Sequence, residues 1–322
     1  MPEAGCNDPN GRIRQAFLRA CAWDVAVRKP GNVSRHSPGH GMAAQDFLAS
    51  AEVAAAPLCE PGRRVGERIE AAMQATWARV GCNTNLGILL LCAPLAAAAE
   101  RCAPPKWAAD GKRQDLTPAL DGKRQDLTPA LNAALEEVLG GLDQADAAAA
   151  FRAISLANPG GLGRAEAQDV REAPQVTLRE AMALAADRDR IARQYRDGMA
   201  ELFELGLAAV DAPARSALLS AQPESVCPGE PAAAALQRIY LAWLASAPDS
   251  HLVRKFGPAV AQVVLSQARP WAARAAGGEA LEADDAFCAW DEALKAGGLN
   301  PGSSADLTVA TLMALFLCTP RR

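Results

Sequence analysis

The chain has 322 residues, 50% of them hydrophobic and 22% charged, which excludes a disordered polypeptide and is enough to bury a sizeable core. With 33 Lys and Arg against 37 Asp and Glu the formal charge is -4, which excludes a broad nucleic-acid-binding face, so an anionic ligand has to be met by local groups. Nine cysteines lie scattered without a C-x-x-C pair, which excludes a zinc knuckle and a disulfide framework and reads as thiols in a reducing compartment.

Alanine, leucine and arginine dominate, β-branched and aromatic residues are sparse, and no alternating run is long enough for a strand. The expectation is an all-α protein: residues 1–322 as a single domain, an orthogonal bundle of roughly ten or more helices. The N-terminal stretch lacks the basic-then-apolar pattern of a leader. Residues 12–28 place Ile13, Ala16, Phe17, Ala20, Cys21, Trp23 and Val27 near one helical face and stop at Pro30. Helical patterns follow over 43–57, 62–80 and 84–101. The apolar run Leu86–Ala99 is shorter than the ~18 residues a bilayer span requires and contains Pro94, so no membrane segment is expected and the protein reads as cytoplasmic.

Residues 103–128 form the one long irregular region, read as a surface loop. It carries a tandem duplication, DGKRQDLTPAL at 110–120 repeated at 121–131, too short to be a structural repeat. Further helices are predicted over 129–140, 143–156, 177–208, 212–221, 230–246, 250–275, 279–296 and 304–318.

Four polar, glycine-bearing stretches interrupt this pattern, each before a helix: KPGNVSRHSPGHG (29–41), GCNTNLG (81–87), NPGGLGRAEAQDV (158–170) and LNPGSSADLT (299–308). Free backbone N–H groups at helix starts, approached closely past glycines, suit anions, and their repetition suggests a polyphosphate or nucleotide. Lys29, Arg35, Arg188, Arg193, Arg254 and Lys255 are the cations near these stretches. Neither the Walker nor the dinucleotide glycine spacing is present. Taken one at a time, the stretches are also ordinary helix caps, and Asp249, Asp306 and His251 are also ordinary capping, dipole-favoured and surface residues.

The segments KPGNVSRHSPGHG, CNTNLGILLL, DSHLVRKFG and NPGSSADL, in this order over about residues 13–318, resemble the triphosphoribosyl-dephospho-CoA synthase family. The resemblance implies an all-helical pentosyltransferase that breaks the adenine–ribose bond of ATP, releases adenine, and joins C1 of the triphosphorylated ribose to the 2'-hydroxyl of 3'-dephospho-CoA. On that footing Lys29, Gly31, Arg35, Asn83, Thr84, Asn85, Gly87, Arg254, Lys255, Ser303 and Ser304 are candidate substrate-binding residues. His40, Asp306 and Asp249 are candidate catalytic groups, with His36 a further imidazole able to carry a proton. Mg²⁺ is expected with ATP, with Asp306 and Asp169 as candidate ligands.

The sequence departs from the family pattern where N-T-H-K-G reads NTNLG, leaving Asn85 and Leu86 in place of a histidine and a lysine. The acid expected two residues after the loop histidine is absent, Asp46 being the nearest, and PGSSADL stands where a double glycine is usual. These departures leave the acceptor open between dephospho-CoA and a similar cofactor-type alcohol, and two rival readings stay open: a nucleotide N-glycohydrolase with water as acceptor, and a non-catalytic helical nucleotide-binding module. The oligomeric state is also open, a homodimer included.

Overall fold

The computed structural model describes residues 9–102, 127–165 and 167–319, and among these the chain is an all-α multi-helix fold with no strand. Most of the irregular region and its duplication lie outside the described residues; the end of the second copy, from Thr128, already belongs to a helix. The predicted segments up to residue 157 are realised as α1 (Pro9–Ala26), α2 (Ala44–Leu58), α3 (Val65–Val80), α4 (Leu86–Cys102), α5 (Thr128–Gly140) and α6 (Gln144–Ala157).

Beyond that point local chemistry cuts the longer predictions. The 177–208 segment is α7 (Leu178–Ala185), α8 (Arg190–Arg196) and a π-helical turn, Leu202–Gly206. Asp189 starts α8 by accepting the N–H groups of Ile191 and Ala192, and Gly198 and Met199, at φ 68° and 57°, end it in left-handed backbone. Then come α9 (Ala212–Ser220) and α10 (Pro231–Ser246). The 250–275 segment is split into α11 (Ser250–Phe256) and α12 (Pro258–Ala276) by Gly257, at φ 88°, followed by a proline that opens the next helix. Asp284 caps α13 (Asp285–Ala296), and α14 (Gly302–Cys318) closes the described chain.

The core is centred on α4 and α14, which pack on each other and on α1. Both are apolar on nearly every side, as helices enclosed by others must be. Each fully buried leucine here contributes roughly 1.5–3 kcal/mol relative to exposure, which makes this pair a rigid support for whatever its ends present. Around it, α2 packs on α3 and α3 on α6. On the other side α10 serves two clusters, with Leu236, Ile239 and Trp243 in the main core and Tyr240, Leu241 and Leu244 in a smaller one with α11, α12 and α13. No described helix is long and apolar enough to cross a membrane.

Candidate functional site

The N-terminal ends of α4 and α14, the 29–41 loop and the 158–170 loop meet around one cavity of about 930 Å³, a volume within the range of sites for nucleotide-sized ligands. Nine of the predicted site residues line it: Lys29, Asn83, Thr84, Asn85, Gly87, Asp169, Arg254, Ser303 and Asp306. Gly31, Arg35, His40, Asp249, Lys255 and Ser304 do not.

Asp306 is the focal group. It sits in the second turn of α14, is half-buried and lines the cavity, and no described residue hydrogen-bonds its carboxylate. Burial, with Asp24 and Asp249 nearby, pushes its pKa well above the ordinary carboxylate value, against the pull of Lys29. The carboxylate fits because the facing residue of α4 is Gly87, where a Cβ would stand 2.0 Å from Asp306 Oδ2. The apolar run that drives α4 into the core thus also brings a side-chain-free position against the acid.

Beside it, Lys29 is buried rather than open to a ligand. Its Nζ donates to Asp24 Oδ1 at 2.5 Å and to Asn32 Oδ1 at 3.1 Å, and the Asn32 amide donates to Asn300 Oδ1 at 2.6 Å. Asp24, Asn32 and Asn300 line the cavity too and were not singled out from the sequence. The one available signal was Asp24 itself, a carboxylate inside the apolar stretch AWDVAV, where burial requires a partner. On the α4 side the Asn83 side chain accepts the N–H of Leu86, Thr84 donates to the Ser50 hydroxyl at 2.6 Å, and Asn85 donates to Thr76, leaving Asn85 Oδ1 buried without a partner.

The residues outside the cavity build its walls. Gly31, at φ 84°, donates its N–H to the buried Asp291 and allows the loop to touch the 299–301 segment, where a Cβ would be 2.6 Å from Leu299 O. His40, expected as a proton carrier, is in left-handed backbone, its Nε2 2.8 Å from Gly31 O, so it closes the loop instead of facing the cavity. His36 pairs with Glu282, also away from it. Arg35, expected on phosphate, turns to the carbonyls of Pro223, Glu224 and Val226. Asp249 caps α11 through His251 N and Leu252 N, and its other oxygen accepts both the N–H and the hydroxyl of Ser304 at 2.8 Å. That one buried carboxylate fixes α11 to α14, and burial raises its pKa despite the Ser304 bonds. Lys255 lies over the Phe256 ring, and Arg193 donates to Ala186 O.

The fourth wall is the 158–170 loop. Arg254 holds it, donating from Nε to Gly160 O at 3.0 Å and standing 3.4 Å from Asp189. Asp169 organises its far end: it accepts the N–H groups of Arg171 and Ala165 and pairs with the Arg171 guanidinium, which together lower its pKa. Both its oxygens are therefore committed. Arg188 and Arg164 line the cavity mouth, Arg164 having escaped the sequence reading because a lone arginine in a glycine-rich loop carries no spacing signal.

His251, read from sequence as a surface or satisfied histidine, also lines the cavity. Its imidazole is packed on Gly302, with Nδ1 2.5 Å from where a Cβ would stand, and has no hydrogen-bond partner among the described residues. Burial, then Arg254, Lys255 and His40, lower its pKa to about 4, so it is neutral at physiological pH. Gly302 and Asp306 are four apart on α14, which sets the imidazole and the carboxyl about one turn apart on the same face.

As to metal, no group of three or more His, Cys, Asp or Glu side chains suited to an ion occurs among the described residues. Of the two predicted ligands, Asp169 is engaged within its own loop, and Asp306 is one carboxylate lining the cavity, of the kind that joins substrate phosphates in holding Mg²⁺.

The family model CitG, ATP:dephospho-CoA triphosphoribosyl transferase, matches residues 10–321. Among solved structures, the fold is similar to that of an Archaeoglobus fulgidus protein provisionally described as a triphosphoribosyl-dephospho-coA synthase, with a TM-score of 0.56 and 22% identity over 85% of this chain and 99% of that chain. At that identity the likeness speaks for the fold alone. No curated protein matches the sequence. With the family's motifs gathered at one cavity and its model spanning nearly every residue, the chain belongs to the ATP:dephospho-CoA triphosphoribosyl transferase family and is an enzyme, a pentosyltransferase.

Proposed function

We propose that the enzyme takes ATP as its Mg²⁺ complex, releases adenine, and joins C1 of the triphosphorylated ribose to the 2'-hydroxyl of 3'-dephospho-CoA. The observation that carries this reading is Asp306: a carboxyl without a hydrogen-bond partner among the described residues, lining a nucleotide-sized cavity, in a chain of this family. In the reaction the C1–N9 bond breaks with its electron pair leaving on adenine, positive charge builds at C1, and the acceptor oxygen bonds there while losing its proton.

Asp306, which holds its proton to an elevated pH, is suited to protonate the departing adenine; as the resulting carboxylate it stabilises the oxocarbenium-like centre and then takes the acceptor's proton. The triphosphate is retained, so its phosphates need grip rather than attack. Neutral His251, one turn away, serves as a hydrogen-bonding group for the ribose or the acceptor hydroxyl. Asp249 and His40 act at one remove, by fixing the α11–α14 contact and the 29–41 loop.

The test is to incubate the pure protein with ATP, Mg²⁺ and dephospho-CoA and measure free adenine and the conjugated product. Both are expected, in equal amounts and dependent on the acceptor. Adenine release at undiminished rate without acceptor would make the protein an N-glycohydrolase, and ATP binding with no turnover would make it a nucleotide-binding module.

A further inference from the structure

We propose that Arg164 and Arg188, with the backbone of the Gly160–Gly163 turn, form a polyphosphate-binding subsite at the mouth of the cavity; this rests on the reading above, in which both substrates bring phosphate chains. Apart from Arg188, the cations expected from the sequence are otherwise engaged or placed elsewhere, Arg193 donating to Ala186 O. Lys29 is bound to Asp24 and Asn32, Arg35 to three backbone carbonyls, and Arg254 to Gly160 O and Asp189. Lys255 does not line the cavity.

Arg164 and Arg188 do line it, both are exposed, and neither guanidinium has an acceptor among the described residues. The acids near them in the chain are paired elsewhere. Asp187 pairs with Arg196, Asp189 caps α8 and meets Arg254, and Asp169 takes the N–H groups of Ala165 and Arg171 together with the Arg171 guanidinium. Two guanidinium groups without an ion-pair partner among the described residues therefore line the cavity.

The turn that precedes Arg164 lines the same cavity and lets an anion come close. A Cβ at Gly160 or Gly163 would meet nothing within 4 Å, so the backbone there borders open space. Gly161 and Gly163 take φ of 76° and 67°, and the N–H groups of Gly160, Gly161, Gly163 and Arg164 have no partner among the described residues. The turn does not float, because at Gly161 it lies so close to α11 that a Cβ would stand 2.6 Å from Arg254 O. Forked guanidinium donors and spare amides on an anchored loop match the oxygens of a phosphate chain, whether the triphosphate of the donor or the diphosphate of the acceptor.

The experiment titrates inorganic tripolyphosphate and, separately, adenosine into the wild-type protein, Arg164→Ala, Arg188→Ala, the double variant and Arg188→Lys, and measures KM for ATP and for dephospho-CoA. Each alanine is expected to weaken tripolyphosphate about ten-fold or more, with a shallower salt dependence, adenosine affinity and melting temperature unchanged, and partial recovery in Arg188→Lys. A KM rise confined to ATP assigns the subsite to the donor, and one confined to dephospho-CoA assigns it to the acceptor. Tripolyphosphate that does not bind the wild type, or binds the double variant equally well, overturns the proposal, even if the enzyme turns over. Loss of tripolyphosphate binding in the variants of a protein that releases no adenine would uphold the subsite and reject the transfer reaction.

Discussion

At the scale of single residues, Asp306 and His251 each carry a protonation state set by burial, and each gives a pH-linked prediction. Asp306 keeps its proton above its ordinary pKa of 3.8 when folded, so its contribution to stability is complete below that value and is lost as pH rises through the folded pKa. Asp306→Asn, which cannot ionise, is therefore expected to raise the melting temperature at neutral pH while lowering turnover by about 10²–10³-fold; an unchanged turnover would remove Asp306 from the chemistry. His251 has the opposite sign. Its pKa falls from 6.5 to about 4 on folding, so stability is present above 6.5 and lost as pH drops toward 4. His251→Asn is expected to flatten the fall in melting temperature between pH 6.5 and 4, followed by thermal melts across that window. The sequence placed Asp306 at the site because it lies beside a helix start. It misjudged His251 and His40, since an imidazole's facing is decided by packing against residues remote in the chain, Gly302 in one case and the Gly31 carbonyl in the other.

At the scale of elements, helices were legible wherever hydrophobic period and caps agreed, and the errors fell where a single cap or breaker outweighs propensity: Asp189 restarts a helix, and Gly257 with Pro258 breaks one. Two contacts between elements give further predictions. Arg68, with no exposed surface on its side chain, donates to Leu58 O, Arg63 O and the Glu100 carboxylate, joining α3 to the end of α2 and to α4. Arg68→Ala removes the donor to two carbonyls and leaves Glu100 only the Gly62 N–H, and is expected to cost about 2–3 kcal/mol in denaturant unfolding. Gly87 lets α4 approach α14, and the methyl of Gly87→Ala would meet Asp306 Oδ2 at 2.0 Å and Ile191 Cδ1 at 2.7 Å. That variant is expected to lower kcat, by displacing the carboxyl, with KM for ATP less affected; steady-state kinetics checks the split.

At the scale of the molecule, the site is assembled from Asp24 to Asp306 and is supported from behind by the smaller cluster around α10. The Tyr240 hydroxyl, buried there, donates to Pro30 O at 2.7 Å and so ties that cluster to the 29–41 loop. Tyr240→Phe leaves the carbonyl buried and unpaired and is expected to cost about 1–3 kcal/mol, measured by denaturant unfolding, and to raise substrate KM through the loop. By itself the sequence determined the all-helical class, the family resemblance and the four interrupting stretches, because period, capping and glycine content act over a few neighbouring residues. Only the tertiary structure decided which charges remain available to a ligand. Whether Lys29 meets a phosphate or Asp24, whether Arg35 points inward or to the carbonyls of residues 223–226, and whether Arg164 and Arg188 keep free guanidinium groups all depend on partners supplied by long-range packing, and a buried charge is committed to whichever partner packing brings within reach.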